Sequence, residues 1–238
     1  MKILANPQLY TEKEALYINV RSTEGRVITD DILRMLPDVS ANSPYKQEWI
    51  LRAENYKKLI KHIHTSFAGK PITILDVGCG NGWMSNKLSA EGHHVTGMDL
   101  NMTELTQAEQ VFGTSATLTW VYADIMKDEP GKKYDLILFS ASVQYFPNLQ
   151  MLTQRIQQFL NAEGEIHFHD SVFYDDNSAT EAKQRSIAYY TNLGFPDMAG
   201  YYFHHPIKSL QQAGFKQVNA PRLFGKKPLL QWWMKKFA

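Results

Sequence analysis

The stretch Ile74-Leu75-Asp76-Val77-Gly78-Cys79-Gly80-Asn81-Gly82-Trp83 decides how the rest of the chain is read. It ends a β-branched run that starts at Pro71, passes through three glycines and enters helical spacing from Trp83 to Leu88, which Gly92 stops. That is a strand, a glycine turn and a helix. Glycines at such a turn let the backbone approach a ligand that any Cβ would exclude, and the first N–H groups of the helix are free to bind a carboxylate or phosphate. Nicotinamide, flavin and other nucleotide sites share this feature. The dinucleotide pattern places its third glycine at position 83, where this chain has Trp83, so a pyrophosphate cradle fits poorly.

The same alternation continues outward. His94 to Met98 reads as a second strand, Glu104 to Val111 as a helix, Leu118 to Tyr122 as a third strand and Tyr134 to Phe139 as a fourth. Leu149, Leu152, Ile156, Phe159 and Leu160 then recur at helical spacing between Asn148, an N-cap, and Gly164 near the stop. Glu165 to His169 is a fifth strand. Strands alternating with helices of this length predict a parallel sheet covered on both faces, hence an α/β fold. Upstream, Trp49, Ala53, Tyr56, Ile60 and Ile63 share one face of a helix over about 45–65, and the first 44 residues read as irregular with at most short helices.

Composition narrows the class. With 44% hydrophobic and 21% charged residues the chain is neither disordered nor collagen-like. No apolar run is long enough to span a membrane, and Met1 to Tyr10 lacks the apolar core of a signal peptide, which together predict a cytoplasmic protein without a transmembrane segment. The single cysteine, Cys79, excludes an internal disulfide and any multi-cysteine zinc site. Charge is uneven: residues 198–238 carry +7 and the rest −6, for a net +1. This basic end is rich in apolar and aromatic residues and reads as folded protein, with a weak case for an anionic substrate near Lys208 and Arg222.

At this point the chain resembles the class I, Rossmann-like S-adenosylmethionine-dependent methyltransferases. In that family the first strand ends in an acid followed by Gly-x-Gly-x-Gly, as Asp76 to Gly82 does here. An acid ends the second strand and holds the ribose hydroxyls, as Asp99 would, since a carboxylate accepts from two adjacent hydroxyls at once. A third acid, Asp124, stands where the family meets the adenine amino group, and Tyr134 to Ser140 matches the strand before the loop beside the sulfonium. The similarity runs over about 45–220. It implies a three-layer sandwich with a mostly parallel seven-stranded sheet whose last strand is antiparallel. It also implies S-adenosylmethionine as cofactor, with Asp76, Gly78, Cys79, Gly80, Asn81, Gly82, Trp83, Asp99, Leu100, Asp124, Ile125 and Ser140 around it. Arg52 is a candidate for the methionine carboxylate. Residues 1–44 would be an appendage or lid, and 45–238 the methyltransferase domain with a substrate-covering insert at about 172–206.

Methyl transfer from a sulfonium is a displacement at carbon, so the protein chiefly aligns the reactants, and a base is needed only if the nucleophile arrives protonated. The Asn/Asp-Pro-Pro-aromatic motif of amino-directed nucleic-acid and protein-glutamine methyltransferases is absent from Ser140 to Pro147, which favours a small-molecule acceptor over nucleic acid. Tyr145 falls where many small-molecule relatives have a histidine. The histidines come in pairs: 62/64, 93/94, 167/169 and 204/205. His169, near the active end of the fifth strand, is the first candidate for a base, with Asp170 orienting it or binding substrate. Gln144, Tyr174, His204 and His205 are the candidate substrate residues. Metal-dependent relatives carry an acid at the end of the fourth strand, where Phe139-Ser140 stands, so no catalytic metal is expected. Two alternatives remain open, an NAD(P)-dependent oxidoreductase and a non-catalytic module that binds S-adenosylmethionine. The segment Leu229 to Phe237 is expected as the closing antiparallel strand rather than a basic amphipathic helix.

Overall fold

The computed structural model describes residues 1–220 and 229–237, so Arg222, Lys226 and Lys227 of the basic end lie outside the described residues. Its elements in chain order are β1 (Lys2–Ile3), α1 (Thr11–Thr23), α2 (Asp30–Met35), α3 (Lys46–Ser66), β2 (Thr73–Val77), α4 (Trp83–Ala90), β3 (His94–Asp99), α5 (Met102–Phe112), β4 (Leu118–Tyr122) and β5 (Tyr134–Ser140). There follow α6 (Leu149–Ile156), β6 (Leu160–Ser171), α7 (Asp176–Leu193), α8 (Ile207–Gln212), β7 (Lys216–Gln217) and β8 (Gln231–Lys236). They form one sheet in the order β1-β4-β3-β2-β5-β6-β8-β7. All pairs from β1 to β6 are parallel, while β8 runs antiparallel to β6 and β7.

Strand alternation divides the core between the two faces. Leu75, Val77, Ile137, Phe139, Ile166 and Phe168 face one side and pack with Leu149, Leu152 and Ile156 of α6 and Leu210 of α8. Ile74, Leu136 and Leu138 face the other and pack with Leu59 and Ile63 of α3, Met84 and Leu88 of α4, and Leu105 and Ala108 of α5. This is the expected three-layer α/β sandwich. Among the described residues no helix is long and apolar enough to cross a membrane.

Several local expectations are revised. An eighth strand, β1, adds to the seven, because Lys2 and Ile3 pair with Val121 and Tyr122 at the edge of β4. The N-terminal region is less irregular than expected: α1 is 13 residues long. It buries only Val20, so the repeating apolar stripe that signals a helix is missing. The helix expected to run on toward Gly164 ends at Ile156. Phe159 closes a 3-10 turn, Leu160 pairs with Tyr134, and Gly164 lies inside β6. Apolar residues at 156, 159 and 160 suit a helix and this turn-to-strand passage equally. The closing strand β8 is antiparallel as expected, but it lies between β6 and β7 and leaves β7 at the edge.

The glycine turn is fitted by packing. Gly82 has φ +76°, and a Cβ there would lie 2.4 Å from the Trp120 ring. Gly92, with φ +94°, has nothing within 4 Å of such a Cβ. Overpacking and left-handed strain together predict that Gly82→Ala lowers the unfolding free energy by about 3 kcal/mol. Gly92→Ala carries only the strain, about 1 kcal/mol. Urea denaturation of both variants checks the difference.

Candidate active site

The carboxyl ends of β2 to β6 open onto two adjoining cavities, the position where open α/β sheets bind ligands. The first, of about 290 Å³, is bordered by Gly78, Gly80, Asp99, Leu100, Asp124 and Ile125. The second, of about 680 Å³, takes in Arg52, Asn81, Ser140, Gln144, Asp170, Tyr174 and His204. Gly78, Gly80, Glu104, Ala141 and Tyr145 border both, so the two are lobes of one cleft.

The glycine turn forms the ridge between the lobes. Gly80 N–H donates to Asp99 Oδ2 at 2.7 Å, which ties the end of β2 to the end of β3. A Cβ on Gly78 would meet Ser142 Cβ at 2.5 Å, and the Ser142 hydroxyl in turn donates to the Val77 carbonyl at 2.5 Å. Burial pushes the Asp99 carboxyl up to about 6, against the backbone N–H groups of Gly80, Leu100 and Asn101 that favour its charge. Glu104 is pushed up to about 7 by burial and by Asp99, with Arg21 opposing. Asp76 lines neither lobe. It lies beneath the turn with Oδ2 accepting from the Ser85 hydroxyl at 2.6 Å, and burial raises it to about 7. Cys79 is buried, and desolvation raises its thiol far above the usual range, so its backbone and not a thiolate serves the turn. Trp83 packs edge-on against Trp49 at 5.5 Å and borders the second lobe.

Residues from the N-terminal segment complete the first lobe. Tyr10 donates to Asp124 Oδ2 at 2.8 Å and accepts from Lys127 at 3.0 Å. Glu14 accepts the Met102 N–H at 2.9 Å and the Tyr122 hydroxyl, which pins α1 over the edge of β3 and β4. Tyr10, Lys13, Glu14, Tyr17 and Glu104 were not singled out from the sequence. Glu104 carried one signal, since Asn101-x-x-Glu104 is a capping pattern, and the Asn101 side chain does accept the Glu104 N–H at 3.0 Å.

The second lobe is walled by aromatic and charged groups. Tyr145 stands edge-on to both Tyr17 and Tyr202 at 5.8 Å. Burial holds its phenol well above the ordinary range, so it stays protonated at neutral pH and is unsuited to act as a base. Arg52 pairs with Glu48 at 3.0 Å and leaves its Nε without a partner, as Arg21 does. Arg26 also bonds Glu48, at 2.9 Å. The Gln144 side chain donates to the Ala141 carbonyl at 2.6 Å. His204 bonds Ser186 at 2.9 Å.

Two expected roles are corrected by position. His169 has no exposed surface and borders neither lobe; its ring is held between Ser140 Oγ and Asp170 Oδ2, both 3.5 Å from Nδ1, and the edge of Trp232. The reason is that α3 and Trp232 seal the face of β6 on which it lies. Asp170 borders the second lobe, although its side chain has no exposed surface. It has φ +51°, accepts from Asn55 at 2.6 Å through Oδ1, and leaves Oδ2 without a hydrogen bond. His205 borders a third cavity on the other side of the insert, not the second lobe, and burial lowers it to about 4.

A family profile described as a methyltransferase domain matches residues 50–219. Among curated proteins the chain is similar to malonyl-[acyl-carrier protein] O-methyltransferase 1 of Ilyobacter polytropus, at 28% identity over 123 residues, 48% of this chain and 46% of that protein. The chain thus spans about half the length of the curated relatives it matches. Among solved structures it resembles magnesium protoporphyrin IX methyltransferase from Synechocystis PCC 6803 with bound S-adenosylhomocysteine (TM-score 0.59, 16% identity, 93% of this chain and 94% of that one). It also resembles N-methyltransferase NodS from Bradyrhizobium japonicum WM9 in complex with the same product (TM-score 0.56, 14% identity, 92% and 97%). At these identities the likeness is one of fold.

The raised carboxyls have a measurable consequence. Asp76 titrates near 4 unfolded and about 7 folded, so between these values the folded state binds more protons and stability falls as pH rises. Asp76→Asn removes this term. Its unfolding free energy, relative to the parent, is expected to rise by up to about 4 kcal/mol between pH 4 and 7.5 in urea titrations. Parallel pH profiles would contradict the assignment.

Proposed function

Since the chain belongs to the methyltransferase-domain family, we propose that it transfers a methyl group from S-adenosylmethionine to a small-molecule acceptor. The observation that carries this is the single cleft whose two lobes share the Gly78–Gly80 ridge, with Asp99 on one side and Asp170 on the other. The residues suit the cofactor: a Cβ at 78 or 80 would press on Ser142 or Glu104 in the cleft wall, and the Asp99 carboxylate faces the cleft with no ion pair among the described residues. Asp99 would hold the ribose hydroxyls, Leu100 and Ile125 the adenine faces, Asp124 the adenine edge, and Arg52 with Asn81 the methionine end. When bound, the cofactor supplies an activated methyl group on a sulfonium.

Tyr17, Tyr145 and Tyr202 wall the place where the acceptor enters and exclude water from it. Their neighbours Arg21 and Arg26 fit an acceptor that carries an anionic group. Asp170, on the wall of this lobe with its carboxylate buried, Oδ1 held by Asn55 and Oδ2 3.5 Å from His169 Nδ1, would take the acceptor's proton, with His169 as its positioning residue. Residues 1–44 and the insert act as the cover, packed to each other through Val20, Tyr190 and Met198. A cytoplasmic location belongs to the same reading.

Calorimetric titration with S-adenosylhomocysteine is expected to show one site per chain, weakened about 30-fold in Asp99→Ala by loss of a charge-assisted contact worth about 2 kcal/mol. No binding by the parent, or tight NADH binding in its place, would overturn the proposal. With an acceptor in hand, Asp170→Asn is expected to lower kcat by about 100-fold while product affinity stays within twofold.

A further inference from the structure

Away from the cleft, β6 and α3 enclose a buried polar cluster that methyl transfer does not use. Glu165 and His167, two residues apart on one face of β6, meet His62 from α3. Both His62 Nε2 and His167 Nε2 lie 2.9 Å from the same oxygen, Glu165 Oε2. The donor atoms of all three residues lie within 4.8 Å of one another. The geometry points to a divalent transition-metal site of the kind zinc occupies, built from His62, Glu165 and His167 and closing the seam between α3 and β6.

Three observations support it. The ligand types and number match zinc chemistry, in which two imidazoles and a carboxylate leave a fourth position open. Bonds of about 2.1 Å in a tetrahedron separate donors by about 3.4 Å, so the two imidazole–carboxylate spacings of 2.9 Å each need to open by about half an ångström. Second, Glu165 is 2% exposed, and among the described residues no lysine or arginine pairs with it. Lys236, its cross-strand neighbour, directs its ammonium to Glu163 instead. A buried anion without a full cation is costly, and a divalent ion removes that cost. Third, the side chain of His62 is 21% exposed while those of His167 and Glu165 are 0% and 2%, so the cluster has a way in from the surface beside Ser66, whose hydroxyl lies 3.2 Å from His62.

On binding, each imidazole coordinates through Nε2 and carries its proton on Nδ1. His167 Nδ1 has no partner in either tautomer, so this rearrangement adds no new unsatisfied group. The ion would clamp α3 to β6. Asn55, two helical turns before His62, is the residue that holds Asp170, so the clamp would steady one wall of the acceptor lobe.

The test uses the full chain, tag removed and stripped with chelator, titrated with zinc chloride at pH 7.5. One zinc per chain is expected at submicromolar affinity, weakened at least about 30-fold in His62→Ala, whose fold is checked by circular dichroism. At zinc concentrations about 100 times Kd the parent is expected to melt roughly 5 °C higher. Absence of saturable binding by the parent, or unchanged affinity in His62→Ala, would overturn the site. Should that variant not fold, cobalt(II) decides: intense visible bands of tetrahedral coordination in the parent support the site, and their absence removes it. None of these readouts depends on methyl transfer.

Discussion

The bond from Gly80 N–H to the Asp99 carboxylate is the contact on which the rest of the cleft depends. It joins the ends of two neighbouring parallel strands whose hydrogen-bond ladder, from Thr73–His94 to Val77–Met98, has just ended. With the bonds from Gly78 N–H and Cys79 N–H to the Met98 carbonyl, it fixes the height of the turn after β2 above the sheet. So fixed, the turn becomes a ridge that separates the smaller lobe, bordered by Asp99 and Asp124, from the larger one. Close packing against Ser142 and Trp120 then leaves room for glycine alone at 78 and 82. The energetic signature is a set of acids, Asp76, Asp99 and Glu104, all raised by burial in a small region. Such crowding weakens the ligand-free fold, and it suits a ligand that brings hydroxyl donors and positive charge.

The other side of the cleft stores backbone strain. Ala141 at the end of β5 and Asp170 at the end of β6 both have positive φ, +53° and +51°, conformations that non-glycine residues adopt at some cost. They are held there by the bond from Ala141 N–H to the His169 carbonyl and by Asn55 on Asp170. Turning the chain sharply at these two points places Ala141 and Asp170 on the wall of the lobe, with the Asp170 carboxylate buried against Asn55 and His169. The polar seam that starts at Asn55 and Asp170 continues through His169 to His167, Glu165 and His62, so α3 both walls the cleft and caps the most polar face of the sheet.

What could be read from residues alone follows how local each signal is. The turn from Asp76 to Trp83 was legible because strand, glycines and helix lie within a dozen residues, and the strands because period-two burial on both faces leaves dense apolar runs. Asp99 and Asp124 were named through the family resemblance, and both border the first lobe. The assignment of His169 failed for a tertiary reason. Alternation correctly puts His167 and His169 on one face of β6, but only the docking of α3 and Trp232 shows that this face is closed. Likewise α1 has too few buried apolar residues to announce itself, since its Tyr10-to-Tyr17 stretch spends its side chains on the cleft. Phe159 and Leu160 satisfied helical spacing and strand pairing together, and pairing with Tyr134 decided between them.

A crystal structure of the chain with S-adenosylhomocysteine tests the central claim most directly. It is expected to show both ribose hydroxyls on the Asp99 carboxylate, the adenine between Leu100 and Ile125, and the sulfur directed across the Gly78–Gly80 ridge toward Asp170. A product molecule seated elsewhere, or with its ribose away from Asp99, would contradict it.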